Sequence, residues 1–344
     1  MRIAILGAGS WGTALAQTIA GHGRHEVSLW ARRAEVAEAI AASRHNPAYL
    51  TDVAIDPSVH ATADLDAACS GAAIVILAVP THGMRETALL VSAANVPDAR
   101  LVSAAKGFEE ASGMTMTAVL SDVFGDRDAH RIAALSGPNI AVEIVRGLPA
   151  ATVVAGADET AAFVRDALTG RALRVYSTTD CIGVEYGGAL KNVVAIAAGV
   201  CDGIGAGDNG KAAIITRGIA EMARLGLHAG ASMMTFAGLA GLGDCIVTCM
   251  SPHSRNRRLG EAVARGATLP QALAQIRMVV EGVNVTGVAL RLAAEHRVDM
   301  PITREVFNTL FEGKSVAAAL DDLMQRDPAE ELRGLSAAAR GGEP

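Results

Sequence analysis

The sequence predicts an α/β Rossmann-like N-terminal domain, a mostly parallel sheet with helices on both faces, followed by an all-α C-terminal domain. Three observations lead there. Up to residue 180, short apolar runs alternate with Ala-rich periodic stretches, the rhythm of strands and helices in a parallel sheet. One of those runs, "AIVILAV", is apolar throughout, as a strand covered on both faces should be. Beyond residue 180 the runs stop and only long helical periods remain.

The expected strands are "RIAIL", "EVSLW", "AIVILAV", "RLVSAA", "RIAALS", "ATVVAG" and "LRVYS". Helical periods fall at 185–201, 211–226, 257–265, 270–276, 281–296 and 303–311, with "GDNG" and "SPHS" read as punctuation. Three segments result. Residues 1–180 form a dinucleotide-binding domain, 181–327 a helical substrate and catalytic domain, and 328–344 a tail expected to be loose.

Composition narrows the function. Aromatic residues make up only 3% of the chain against 51% hydrophobic, so the core must be packed from Ala, Val, Ile and Leu. The net charge of −6 argues against nucleic acid as a partner, and any anionic ligand needs a local basic cluster. Cysteines 69, 181, 201, 245 and 249 form no C-x-x-C pair and no zinc set. They read as small buried residues, and no metal is expected. The opening "MRIAILGAG" is too short for a signal peptide, and no charge-free apolar run of about 18 residues occurs. A soluble, cytoplasmic protein without membrane insertion is expected.

"ILGAGSWGTALA" puts Gly7, Gly9 and Gly12 in G-x-G-x-x-G spacing between a strand and a helix that opens near Ser10. Gly7 allows the tight turn, Gly9 lets a pyrophosphate approach the backbone, and Gly12 lets the helix sit close to the strand. The helix N-terminus then faces the anion. At the end of the second strand an NAD site usually carries a carboxylate for the ribose 2′-OH; here "SLWARRAEV" offers Arg32 and Arg33. Two guanidinium groups suit a 2′-phosphate, so NADP(H) is expected to be preferred with NAD(H) possible, Glu35 softening the preference.

"EYGGALKNVVAIAAG" contains Lys191, the only charge between Glu185 and Asp202. A lysine in so apolar a helix either snorkels to solvent or does chemistry. The residues alone leave both open. "SPHSRNRRLG" likewise fits either a capped helix with a solvated basic start or a phosphate clamp made by Ser254, Arg255 and Asn256 ahead of a helix near Arg257.

In order along the chain, "GAGSWGTALA", "AVPTHGMRE", "KGFEEASG", "LSGPNIAVEI", "VEYGGALKNVVAIAAG", "GLAGLGDCIVTCMSPHSRNRRLGE" and "VVEGV" resemble the NAD(P)-dependent glycerol-3-phosphate dehydrogenases of bacteria, which serve phospholipid synthesis. The resemblance covers nearly all of residues 1–312. It implies reversible hydride transfer between a nicotinamide and C2 of dihydroxyacetone phosphate or sn-glycerol 3-phosphate. It assigns the catalytic general acid and base to Lys191. It places Lys106, Gly137, Asn139, Asp244, Ser254, Arg255 and Asn256 with Lys191 at the substrate. Gly7, Gly9, Ser10, Trp11, Gly12, Arg32, Arg33, Lys106, Ala141, Arg255, Val279 and Glu281 fall at the cofactor.

Asp244 could orient Lys191, accept from a substrate hydroxyl, or cap a helix. Asn192 could hold substrate or fix a helix contact. Arg257 and Arg258 read as outer or surface residues. Asn139 stands where the family usually has Ser, and Val285 and Gly287 where it has Thr and Lys. The expected partner is a phosphorylated small molecule, and the apolar helical domain could add a second copy in a homodimer. Two other readings stay open: an enzyme akin to the 6-phosphogluconate or 3-hydroxy-acid dehydrogenases, or an NADP(H)-sensing module without catalysis.

Overall fold

The structure, a computed structural model, describes residues 1–331 except 95, 97, 277, 328 and 329. Apart from Glu330 and Glu331, the tail expected to be loose lies outside the described residues. The chain forms two compact units: Met1–Glu109 with Met114–Cys181, and Glu110–Gly113 with Ile182–Pro344.

Among the described residues, the first unit holds one sheet of eight strands in the order β3-β2-β1-β4-β5-β6-β7-β8. The strands are β1 (Arg2–Leu6), β2 (Glu26–Trp30), β3 (Val59–Thr62), β4 (Ile74–Leu77), β5 (Arg100–Ser103), β6 (Ile132–Ser136), β7 (Ala150–Gly156) and β8 (Leu173–Thr178). Every pairing is parallel except β6 with β7. The helices are α1 (Ser10–Ala20), α2 (Ala34–Ser43), α3 (Leu65–Cys69), α4 (Met84–Ala93), α5 (Met116–Phe124), α6 (Ala141–Ile144) and α7 (Asp158–Leu168).

Alternation along β1 shows why both faces are covered. Ile3 and Ile5 pack with Leu15 and Ile19 of α1, Ile40 of α2 and Val164 of α7. Ala4 and Leu6 point the other way, to Met84 and Val91 of α4 and Leu120 of α5. β3 lies outside the expected strands. "VHAT" is short, sits at the sheet edge and keeps His60 exposed, so it has no apolar run to announce it.

The second unit contains α8 (Cys181–Ile204, which begins at the last residue of the first unit), α9 (Gly207–His228), α10 (Met233–Phe236), a π-helical turn (Leu239–Gly243), α11 (Asp244–Met250), α12 (Arg255–Ala264), α13 (Leu269–Ile276), α14 (Glu281–His296), α15 (Pro301–Phe311) and α16 (Val316–Met324). "GDNG" is not punctuation: it opens α9. α12 starts at Arg255, two residues before the expected position, because Ser254 caps it. α10, the π turn, α11 and α16 fall outside the expected helical periods. The first three are glycine-rich or short, which blurs a helical period.

α8 is buried from Gly183 to Gly199 on all sides, so its apolarity is that of a core helix. By length and composition alone, α8 and the stretch Met233–Met250 could each cross a membrane; 78% of the most apolar part of α8 is buried within the protein. α8 and α12 cross at backbone contact. A Cβ on Gly199 would stand 1.9 Å from the Arg257 carbonyl oxygen, and one on Gly260 1.9 Å from that of Ile196. α9 reaches α15 through Glu221, whose buried carboxylate accepts from Ile302 N (2.6 Å), Thr303 N (3.1 Å) and Thr303 Oγ1 (3.0 Å). Those bonds satisfy donors that the first turn of α15 cannot satisfy itself. Burial nonetheless pushes the carboxyl pKa up to about 7.

This packing fixes the sign of two glycine substitutions. Gly260→Ala should lower stability by about 1–3 kcal/mol. Gly287→Ala, in α14 where a Cβ meets nothing within 4 Å, should raise it by about 0.5–1 kcal/mol; thermal melts of both variants read the two signs. Because the folded pKa of Glu221 is raised, its contribution to stability is present at low pH and is lost as pH climbs toward 7. The melting temperature of Glu221→Gln minus that of the natural protein should therefore increase from pH 5 to pH 8.

Candidate active site

In the first unit the predicted residues gather at the carboxyl ends of the strands, where open α/β sheets bind ligands. Gly7 comes directly after β1 with φ +118, and its N–H donates to Trp30 O (3.0 Å). A Cβ on Gly7 would lie 2.6 Å from Ala78 O, and one on Gly12 1.9 Å from Gly7 O. Around Gly9 a Cβ would meet nothing within 4 Å. The turn is thus closed at two glycines and open at the third, as an approaching pyrophosphate requires. α1 then starts at Ser10 with no side-chain cap and no acidic residue in its first turn, leaving N–H groups for an anion. Trp11 Nε1 is buried without a hydrogen-bond partner among the described residues. These features fit a dinucleotide.

Arg32 and Arg33 lie just beyond β2 and are exposed. Arg32 pairs with Glu86 of α4 (3.1 Å) and Arg33 with Glu35 (3.7 Å). Lys106 lies just beyond β5, and its Nζ donates to Gly137 O (2.8 Å), at the end of the neighbouring strand β6. Gly137 has φ +143, and a Cβ there would fall 2.9 Å from Thr152 Cα, so only glycine fits. Asn139 Nδ2 donates to Thr152 Oγ1 (3.1 Å), while its Oδ1 is buried with no partner among the described residues. Ala141 is the first residue of α6, a single turn.

The second unit answers the question raised by Lys191. It does not snorkel. It is 6% exposed, and its Nζ donates to Asp244 Oδ1 (2.5 Å) and to Thr248 Oγ1 (2.7 Å). Thr248 passes its own hydrogen to Asp244 O (2.6 Å), so the hydroxyl accepts from the amine and donates to the backbone. Two of the three ammonium hydrogens are used in this way. Burying both charges is costly, and the mutual attraction with its hydrogen bonds offsets that cost.

Asp244 is not a helix cap. It is the first residue of α11, directly after the π turn, and is 1% exposed. The π turn packs backbone against α8: a Cβ on Gly187 would stand 2.7 Å from Ala240 O. Such turns occur often at functional sites, where the extra residue re-aims the next side chain; here that side chain is Asp244. The sequence alone does not single out Thr248, although it lies four residues after Asp244 and so shares its helix face. Cys245 and Cys249 occupy the adjoining face with their sulfurs 3.9 Å apart. Their mutual contact, with burial, holds the Cys245 thiol well above the usual range, so it is inert.

A chain of amides ties this centre to the basic cluster within the same unit. Asn256 Nδ2 donates to Asn192 Oδ1 (2.8 Å), and Gly282 N donates to Asn256 Oδ1 (3.1 Å). Asn256 is 8% exposed, so it braces the turn that carries Arg255. Ser254 Oγ accepts from Arg257 N (3.2 Å), which leaves its hydroxyl hydrogen to donate. Arg255 donates to Val279 O (2.6 Å), and Glu281 opens α14 nearby in sequence. Arg257, read from the sequence as peripheral, is held by Asp202 (2.5 Å) on α8 and fixes the start of α12. Val285 is buried in the core, and Gly287 faces open space.

The family model for the NAD-dependent glycerol-3-phosphate dehydrogenase N-terminus matches residues 2–162, and that for its C-terminus matches 180–321.

The chain belongs to the NAD-dependent glycerol-3-phosphate dehydrogenase family.

A curated family member from Salinibacter ruber, "Glycerol-3-phosphate dehydrogenase [NAD(P)+] 2", is 47% identical over 330 residues, covering 96% of each chain. One from Moorella thermoacetica is 47% identical, covering 96% of this chain and 97% of its own. The crystal structure of the Coxiella burnetii glycerol-3-phosphate dehydrogenase superposes with a TM-score of 0.89 at 34% identity, over 94% of this chain and 99% of that one.

Thr248→Val removes one bond to the buried ammonium of Lys191 at nearly constant volume. Hydrogen bonds to charged groups are worth about 1.5–3 kcal/mol. Dehydrogenase turnover should fall about 10- to 100-fold, with Thr248→Ser recovering most of it, in steady-state assays.

Proposed function

We propose that this protein is an NAD(P)-dependent sn-glycerol-3-phosphate dehydrogenase that reduces dihydroxyacetone phosphate to sn-glycerol 3-phosphate for glycerophospholipid synthesis. The observation that carries the proposal is the buried amine of Lys191, fixed by Asp244 and Thr248 and tied through Asn192 and Asn256 to the turn bearing Arg255. Such an amine has the donor chemistry that a ketone undergoing reduction needs. The readings as a 3-hydroxy-acid type enzyme or a non-catalytic sensor give way to family membership along nearly the whole chain.

The residues divide the work. Gly7, Gly9 and the first turn of α1 take the pyrophosphate, with Ser10 and Trp11 beside it. Arg32 and Arg33 stand where an NAD site has a carboxylate, which supports a preference for NADP(H) with NAD(H) also accepted. A bound nicotinamide supplies or takes the hydride at C2. Arg255, with the Ser254 hydroxyl and the N-terminus of α12, neutralises the substrate phosphate.

Lys191 donates its third hydrogen to the C2 oxygen as negative charge develops there, and recovers it from the hydroxyl in the reverse direction. Asp244 and Thr248 hold the amine so that no reorganisation is needed at that moment. Lys106 and Asn139 serve the substrate from the strand ends. The protein works in the cytoplasm as a soluble enzyme without membrane insertion, and pairs with a second copy.

The test is direct. Purified protein should oxidise NADPH on addition of dihydroxyacetone phosphate and not on addition of 3-oxo acids; no oxidation with the phosphate substrate sinks the reading. Lys191→Ala should cut turnover by about 10²- to 10⁴-fold, the usual range for a general acid, while NADPH still binds.

A further inference from the structure

The Arg32–Glu86 pair has a placement that bears on cofactor choice. The strand order β2-β1-β4 puts the ends of β2 and β4 on either side of the end of β1, from which the Gly7–Gly12 turn rises. Arg32 lies just beyond β2, and Glu86 is in the first turn of α4, the helix after β4. Their 3.1 Å contact therefore bridges the mouth of the glycine turn. Both side chains are mostly exposed, so the bridge can open without disturbing the core. Arg85 beside it faces away, to Glu109 (2.8 Å) and Asp122 (2.5 Å), and does not compete for Glu86.

We propose that Glu86 is a specificity-determining residue, which by holding Arg32 limits how strongly the protein favours NADP(H) over NAD(H). The proposal rests on the first unit binding a nicotinamide dinucleotide as set out above. A 2′-phosphate must take Arg32 from Glu86 to gain its ion pair, and it also meets the Glu86 carboxylate as a like charge. A 2′-OH makes neither demand. Arg33 already carries a carboxylate partner in Glu35, so both guanidinium groups after β2 start out partly neutralised. Glu86 thereby keeps NAD(H) competitive at a site whose two arginines would otherwise select the phosphorylated cofactor.

An exposed ion pair is worth little, and salt screens it, so the effect is expected to be modest and salt-sensitive. The experiment is equilibrium titration of NADPH and of NADH by nicotinamide fluorescence, without substrate. It uses the natural protein, Glu86→Gln and Arg32→Ala, at low and at physiological salt. Glu86→Gln should tighten NADPH by about 3- to 5-fold at low salt, leave NADH within about 2-fold, and lose part of the gain as salt rises. An equal change for both cofactors, no change, or weaker NADPH binding would overturn the proposal. If Arg32→Ala weakens NADPH while Glu86→Gln is neutral, the cofactor assignment survives and the role of Glu86 does not. If the natural protein binds neither cofactor, both fall.

Discussion

The bond from Lys191 Nζ to Asp244 Oδ1 is the constraint around which the second unit is arranged. An ammonium and a carboxylate have been taken out of water together, deep in a helix bundle built mainly from Ala, Val, Ile and Leu. Alone, either charge would be untenable there. Together they hold only if α8 and α11 keep their spacing, and several features otherwise hard to explain serve that spacing. Gly187 lets the π turn lie against α8, and Gly199 and Gly260 let α12 do the same further along. Thr248 fills a second coordination position of the amine, so the lysine cannot swing toward solvent.

The same tight helix contacts carry the basic cluster. Arg257 is anchored on Asp202 of α8, and Asn256 on Asn192, one residue after the lysine. The start of α12 is thus fixed relative to the amine from two sides. A phosphate held there would present the rest of its molecule in a reproducible position, which is how binding energy at a remote group becomes orientation at a reacting one.

How far a feature can be read from sequence depends on the range of the contacts that create it. The glycine turn is legible because Gly7, Gly9 and Gly12 follow one another within six residues and one of their constraints is local: Gly12 lies against the Gly7 carbonyl, whereas the close approach of Gly7 to Ala78 beyond β4 depends on the fold. The parallel sheet is legible where strands are apolar on both faces, as "AIVILAV" is, and illegible at β3, an edge strand with little to bury. Lys191 announces itself by being a charge in the wrong place. The identity of its partner does not, since Asp244 lies 53 residues away and looks locally like a cap. Thr248 is one helical turn from Asp244 and becomes visible only once that aspartate is taken as helical rather than as a cap. The sequence offers Ser254 and Asn256 as parts of the phosphate clamp. The structure adds that Ser254 caps α12 and that the amide of Asn256 is spent on holding α8 and α14. That use depends on contacts across helices that no spacing rule encodes.

Chemical rescue shows whether the amine at position 191 moves the proton at C2. In the Lys191→Ala protein a small primary amine in solution can enter the space left by the side chain and meet Asp244 and Thr248. Turnover should be low without amine and rise with ethylamine concentration, more than with a bulkier amine of similar basicity. Turnover of the variant equal to that of the natural protein with no amine present would contradict that role for Lys191.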